Sequence, residues 1–247
     1  DNNGGTVTNE GIIVIDNTDE YGIYNRPGGT FSNTGTIHIG QNGGADNIRG
    51  AGIWNEAIFN HNGTLITIDN TEFHSGIVNT GNGTFNNAGA LHIGQSGGAG
   101  NIAESGIRNY AVFNHNAAQI IIDNTEHGIS NWNNATFTNA APLLIGQNGV
   151  AGSIYTGISN SATFNHNDAQ ITIDNTVSSG IANFGSGIFT NTATLNIGQN
   201  GAVETGIWNA ATFNHNGAQI NIDNTVIYGG IFNESGTFNN AAILNIG

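Results

Sequence analysis

Four Phe-Asn-His-Asn segments place imidazoles at His61, His115, His166 and His215, and five Asp-Asn-Thr segments place carboxylates at Asp16, Asp69, Asp123, Asp174 and Asp223. Imidazole nitrogens suit zinc, and carboxylate with amide oxygens suits calcium. A third series, Gly-Ile-x-Asn, occurs nine times and carries Asn25, Asn55, Asn79, Asn109, Asn131, Asn160, Asn183, Asn209 and Asn233. Whether any series does chemistry depends on whether its members converge on one point or are spread evenly along the chain.

They are spread evenly. Gly-Ile-x-Asn recurs every 22 to 30 residues. Self-similarity at that period marks a solenoid, in which each repeat buries its apolar face only against its neighbours. A repeat has three apolar pieces. The first is Gly-Ile-x-Asn. The second is centred on Phe31, Phe59, Phe85, Phe113, Phe137, Phe164, Phe189, Phe213 or Phe238. The third is a Leu/Ile-x-Ile pair such as Ile37/Ile39 or Leu91/Ile93. Apolar and polar residues alternate within each piece, the period of a strand with one buried face. Gly, Asn and small residues between the pieces mark turns. These features predict an all-β, right-handed parallel β-helix of about ten rungs and three short sheets, with strands about 4.8 Å apart. Residues 1–247 form one solenoid segment. Both ends fall inside a repeat, so a longer array is expected.

Two rung types alternate. Type A reads Gly-Ile-x-Asn, Thr-Phe-x-Asn, Leu-x-Ile-Gly-Gln, as in 76–95 and 180–199. Type B reads Gly-Ile-x-Asn, Phe-Asn-His-Asn, Ile-x-Ile-Asp-Asn-Thr, as in 106–125 and 206–225. Type A also carries the longer closing loops, such as 41–51 and 95–105, which are expected along one edge of the rod. The alternation spaces the histidines about 9–10 Å apart, too far for two rings to share zinc, whose nitrogen ligands lie about 2 Å from the metal. The intervening Asn33, Asn87, Asn139, Asn191 and Asn240 predict an Asn/His hydrogen-bonded ladder instead. The repeated inward Asn predicts a structural amide ladder. Each Asp is expected to cap a turn by accepting backbone N–H groups, with calcium the weaker alternative. The calcium-binding nonapeptide pattern is absent, although Gly43-Gly44-Ala45-Asp46 approaches it. The alternating Asn17, Gln41, Asn70, Gln95 series and its successors predicts a further amide ladder. No catalytic, cofactor or metal residue emerges.

One outward position varies, the x of Gly-Ile-x-Asn. It reads Tyr24, Trp54, Val78, Arg108, Ser130, Ser159, Ala182, Trp208, Phe232. Aromatics exposed there, Tyr24, Trp54, Trp208 and Phe232, would offer a surface for sugars or another chain, unless a neighbouring loop covers them.

Composition bounds the partners. Seventeen acids oppose three bases, Arg26, Arg49 and Arg108, giving a net charge of −14. Such a chain lacks the cations needed to displace counterions from nucleic acid, and an anionic membrane repels it. No apolar run is long enough to span a bilayer. Cys is absent, which excludes disulfides and thiolate chemistry.

The Gly-Ile-x-Asn and Phe-x-Asn/His units resemble the repeat arrays of very large secreted bacterial surface proteins, of which filamentous adhesins are the best known. Similar Asn/Gly/Thr-rich arrays occur in surface proteins of gliding bacteria that use type IX secretion. The resemblance implies an extracellular or cell-surface location and a shaft or spacer role, with identical chains as partners. Two other functions are weighed. A carbohydrate-active β-helix, resembling pectate lyases or rhamnogalacturonases, needs a local carboxylate cluster, whereas the acids here look scattered in sequence. Ice binding needs a Thr array, and Ile58, Val112 and Ile188 interrupt the column of Thr30, Thr84, Thr136 and Thr237. A surface glycan is the alternative partner.

Overall fold

The computed structural model describes residues 1–42, 47–95, 101–149 and 152–247. The near-match to a calcium-binding loop at 43–46 lies outside the described residues, as do parts of loops 41–51 and 95–105. Among the described residues the chain is strand and turn only, coiled as a parallel β-solenoid of about nine turns. Three sheets run the length of the rod. Ten strands from Thr6–Asn9 to Thr237–Asn240 form the Phe sheet, and ten from Ile12–Ile15 to Ile243–Ile246 form the Ile sheet. Nine from Ile23–Asn25 to Thr225–Asn233 form the Gly-Ile sheet. Every pairing is parallel, and equivalent residues of successive repeats face one another, as with Phe113, Phe137 and Phe164.

That register stacks the interior by type. Phe31 to Phe238 form one column, with Val7 in the first place. Neighbouring rings lie nearly parallel, at centroid separations between 4.6 Å and 5.0 Å. The strand spacing fixes that separation, so each ring rides on its backbone partner. The Ile-sheet pairs and the isoleucines of Gly-Ile-x-Asn close the other two sides of the core.

The invariant Gly of Gly-Ile-x-Asn has a steric cause. A Cβ on Gly157 would lie 2.5 Å from Ile173 Cγ2 and 2.6 Å from the Gly180 carbonyl oxygen. At this corner the Gly-Ile strand passes over the inward Ile of its own rung, and no side chain fits. The Gly of Ile-Gly-Gln is fixed differently. Gly40, Gly94, Gly146 and Gly198 adopt φ of 74–75°, a left-handed conformation that glycine takes freely. On B rungs the residue after Asp takes the left-handed turn instead, as Asn17, Asn70, Asn124, Asn175 and Asn224, with φ of 50–56°. Asn tolerates that region better than other residues with a Cβ.

A fourth inward column was not anticipated. Ile48, Thr71, Ile102, Thr125, Ile154, Thr176 and Val203 are buried, and they pair across rungs as Ile48/Thr71/Ile102/Thr125, Ile154/Thr176 and Val203/Thr225. Thr comes from Asp-Asn-Thr on B rungs, and the aliphatic residue comes from the end of the closing loop on A rungs. From Ile102 onward this column merges with the Gly-Ile sheet. Its strands lengthen from three residues, as in Ile77–Asn79, to seven or more, as in Ile102–Asn109 and Thr125–Asn131.

Candidate functional site

The Asn of Gly-Ile-x-Asn forms one continuous hydrogen-bonded ladder. Asn2 Nδ2 donates to Asn25 Oδ1 at 2.9 Å, and the same bond repeats rung by rung to Asn209 Nδ2 and Asn233 Oδ1 at 2.7 Å. All the intervening bonds, from Asn25 through Asn183, run in the same direction at 2.8–2.9 Å. The amide also reaches backbone carbonyls, as Asn131 does at Thr163 and Asn160 does at Ala162. Asn25 to Asn209 are fully buried, so the ladder satisfies polar groups that burial would otherwise penalise.

The His column departs from the expected ladder. Asn33 pairs with His61, Asn87 with His115, Asn139 with His166 and Asn191 with His215, through Asn Nδ2 and His Nδ1 at 2.7–2.9 Å. These are A-to-B pairs, and the bonding does not run on through the column as it does in the Asn ladder. Asn139 and Asn191 show the reason. Each folds onto its own turn, with Nδ2 on the carbonyl of Ala141 or Ala193 and Oδ1 on the same residue's N–H. Those contacts fix the amide orientation, so Nδ2 faces the imidazole and Nδ1 must accept. The ring is therefore neutral, with its proton on Nε2. In His115 and His166 that nitrogen meets the carbonyls of Ala118 and Ala169. Burial pushes His61 and His166 down to about 4, and His115 and His215 in the same direction.

The Asp series is a cross-rung clamp more than a local turn cap, which corrects two expectations. Gln95 donates to Asp123 at 2.6 Å and Gln147 to Asp174 at 2.7 Å; Gln41 and Gln199 meet Asp69 and Asp223 in the same way. From the following A rung, Asn200 donates to Asp174 through its backbone N–H at 3.2 Å and its side chain at 3.0 Å. Backbone N–H acceptance is thus one part of the arrangement, and side-chain amides from the rungs on both sides supply the rest. The expected Asn/Gln ladder is replaced by this clamp. Its Gln members reach Asp, while Asn70, Asn124, Asn175 and Asn224 donate to the carbonyls of Gly40, Gly94, Gly146 and Gly198. Burial would raise the Asp16 carboxyl, but bonds from Asn42 and Asn47 outweigh it and hold the group below its ordinary value.

The outer face of the Gly-Ile sheet carries the molecule's variety. The x column is only partly outward. Val78, Ser130, Ser159 and Ala182 are buried, and Trp132 donates from Nε1 to Ser159 Oγ at 3.2 Å. Tyr24 and Trp54 pack with Tyr21 into one cluster, and both donate to Glu56, at 3.0 and 3.2 Å. Trp208 lies 6.1 Å from Phe184, and Phe232 lies 6.0 Å from Tyr228.

Three of the acids that looked scattered in sequence are matched in space, on separate rungs, with bases or His74. Arg26 pairs with Asp1 at 2.9 Å, Arg49 with Glu72 at 3.3 Å and Arg108 with Glu104 at 2.8 Å. Each guanidinium also stands over a ring, namely Tyr24 at 4.4 Å, Phe73 at 5.7 Å and Trp132 at 5.8 Å. His74 approaches Glu104 at 3.6 Å. Arg108 and Glu104 are neighbours on one strand, but variable loop lengths hide the Arg26–Asp1 and Arg49–Glu72 pairs from sequence reading, because those partners align only once the rungs are built. Among the described residues, no three His, Asp or Glu side chains group closely enough to hold a metal ion. No family model, curated protein or solved structure matches the chain.

Proposed function

We propose that the protein is a structural shaft, a spacer in an extracellular or cell-surface filament or adhesin, and that its chains associate into an elongated assembly. The observation that supports this most is the continuity of the Asn ladder and the Phe stack through every rung. A residue repeated identically along a rod serves the rod. The resemblance to the repeat arrays of filamentous adhesins and type IX-secreted surface proteins points the same way.

Association is supported by apolar side chains on the outer wall of the rod, where Ile58, Val112 and Ile188 stand exposed in one column of the Phe sheet. Apolar groups left on an exposed face favour contact with another chain. Sedimentation velocity over a concentration series tests the reading. The expected result is a species that grows in mass with concentration. A compact monomer unchanged at high concentration contradicts it.

A carbohydrate-binding role is the second reading, favoured by the Tyr21/Tyr24/Trp54 cluster beside Glu56. Aromatic faces next to carboxylates suit sugar rings and hydroxyls.

A further inference from the structure

All three arginines of this chain occupy the same kind of seat, a ring on one side and a carboxylate on the other: Tyr24 with Asp1, Phe73 with Glu72, Trp132 with Glu104. A fourth seat of this kind lies near the C-terminal end of the same face. An open groove of about 370 Å³ is lined there by Trp208, Tyr228 and Phe232 together with Glu204, Glu234 and Thr205. The chain has no Lys and no further Arg to fill it.

Local structure holds the groove open. Across this pair of strands, Val203 faces Thr225 and Thr205 faces Gly229, so one strand advances two residues while the other advances four. The extra residues bulge, which re-aims side chains on the bulged strand. Tyr228 stands 65% exposed, and Gly229, at φ 85°, has open space where a Cβ would project. Trp208 is held by its Nε1 bond to Glu234 at 3.2 Å. The rings project from the outer face of the sheet, so rungs stacked along the axis leave the groove open to the side.

We infer that this groove binds an organic cation, a guanidinium or alkylammonium group. Ring faces attract a cation through their quadrupole, and two carboxylates supply charge-assisted hydrogen bonds. The chain's own arginines show the same combination satisfied three times. The net charge of −14 adds long-range attraction for a cation and repels anionic ligands.

The test is ¹⁹F NMR of protein labelled with 5-fluorotryptophan, which gives three signals, from Trp54, Trp132 and Trp208. Single Trp→Phe variants assign them. Titration with N-acetylarginine amide or choline is expected to shift the Trp208 signal saturably and leave the other two in place. Neutral N-acetylcitrulline amide and cellobiose should leave the Trp208 signal in place. Tighter binding of the guanidinium probe than of choline indicates a protein side chain as the natural source, and the reverse indicates a small quaternary amine. The Glu204→Gln/Glu234→Gln variant should bind about tenfold more weakly, with unshifted Trp54 and Trp132 signals certifying its fold. A Trp208 signal that ignores both cations, or that answers to cellobiose instead, overturns the inference.

Discussion

Acidification from pH 7 to pH 4 should destabilise the protein by several kcal/mol, most of it through four imidazoles. His61, His115, His166 and His215 are buried and neutral, each accepting at Nδ1 from an amide whose orientation cannot reverse without breaking its own turn. Protonation sets an N–H against an NH₂. In the unfolded chain these rings titrate near 6.5, whereas burial lowers His61 and His166 to about 4 in the fold. The folded-state value lies below the unfolded one. The stability is therefore full above pH 6.5, falls as the unfolded chain alone takes up protons, and levels off below about 4. At about 1.4 kcal/mol per pH unit for each ring, His61 and His166 each lose about 3 kcal/mol across that window. His115 and His215 add in the same direction. Urea unfolding at a series of pH values checks this. Replacing the four histidines by Asn, the residue that A rungs carry at this position, should flatten the curve. A parent protein equally stable at pH 7 and pH 4.5 would show that the rings are not held neutral.

Phe137→Ala should cost about 3–5 kcal/mol, the range for emptying a buried aromatic site. Its ring has no solvent exposure and lies 4.8 Å from both Phe113 and Phe164. The backbone of each rung is held at strand spacing by its own ladder, so neighbouring rungs cannot close the cavity by moving together. The midpoint of denaturant unfolding measures the loss. Ile188→Ala is the control, since Ile188 is 44% exposed on the outer face of another strand of the same sheet and should change stability little. Equal effects of the two substitutions would mean that the Phe column does not face the core.

The interior was largely legible in the sequence because a solenoid places equivalent residues on top of one another. An inward Asn on every rung needs no long-range information to be read as a ladder. The same logic misled at the Asp-Asn-Thr corner. Asn and Gln alternate there in sequence, yet they reach different partners, because Gln is one methylene longer and reaches the Asp of the next rung while the left-handed Asn meets a Gly carbonyl. The His column was half read. Its members and neighbours were identifiable, but which amide face each Asn turns to the ring depends on the turn it closes. The outer surface was least legible. Arg26 meets Asp1, and Arg49 meets Glu72, across loops of different length, so sequence separation carries no fixed meaning outside the columns. The column of Ile48, Thr71 and Ile102 was missed for a similar reason, since its aliphatic members sit at the far end of the variable A-rung loops.

The central claim is that the rod is modular, with an A/B pair as its unit. The denaturation midpoints of two deletions test it most directly. Removing 128–179 takes out one A and one B rung and joins His127 to Gly180. Asn200 then meets Asp123, and every A rung still faces a B rung. Removing 157–179 takes out one B rung alone, which deprives Asn139 of His166 and leaves Gln147 and Asn200 without Asp174. The account predicts that the longer deletion unfolds cooperatively near the parent midpoint and that the shorter one is markedly less stable. A longer deletion that fails to fold, or that loses as much as the shorter one, would contradict it.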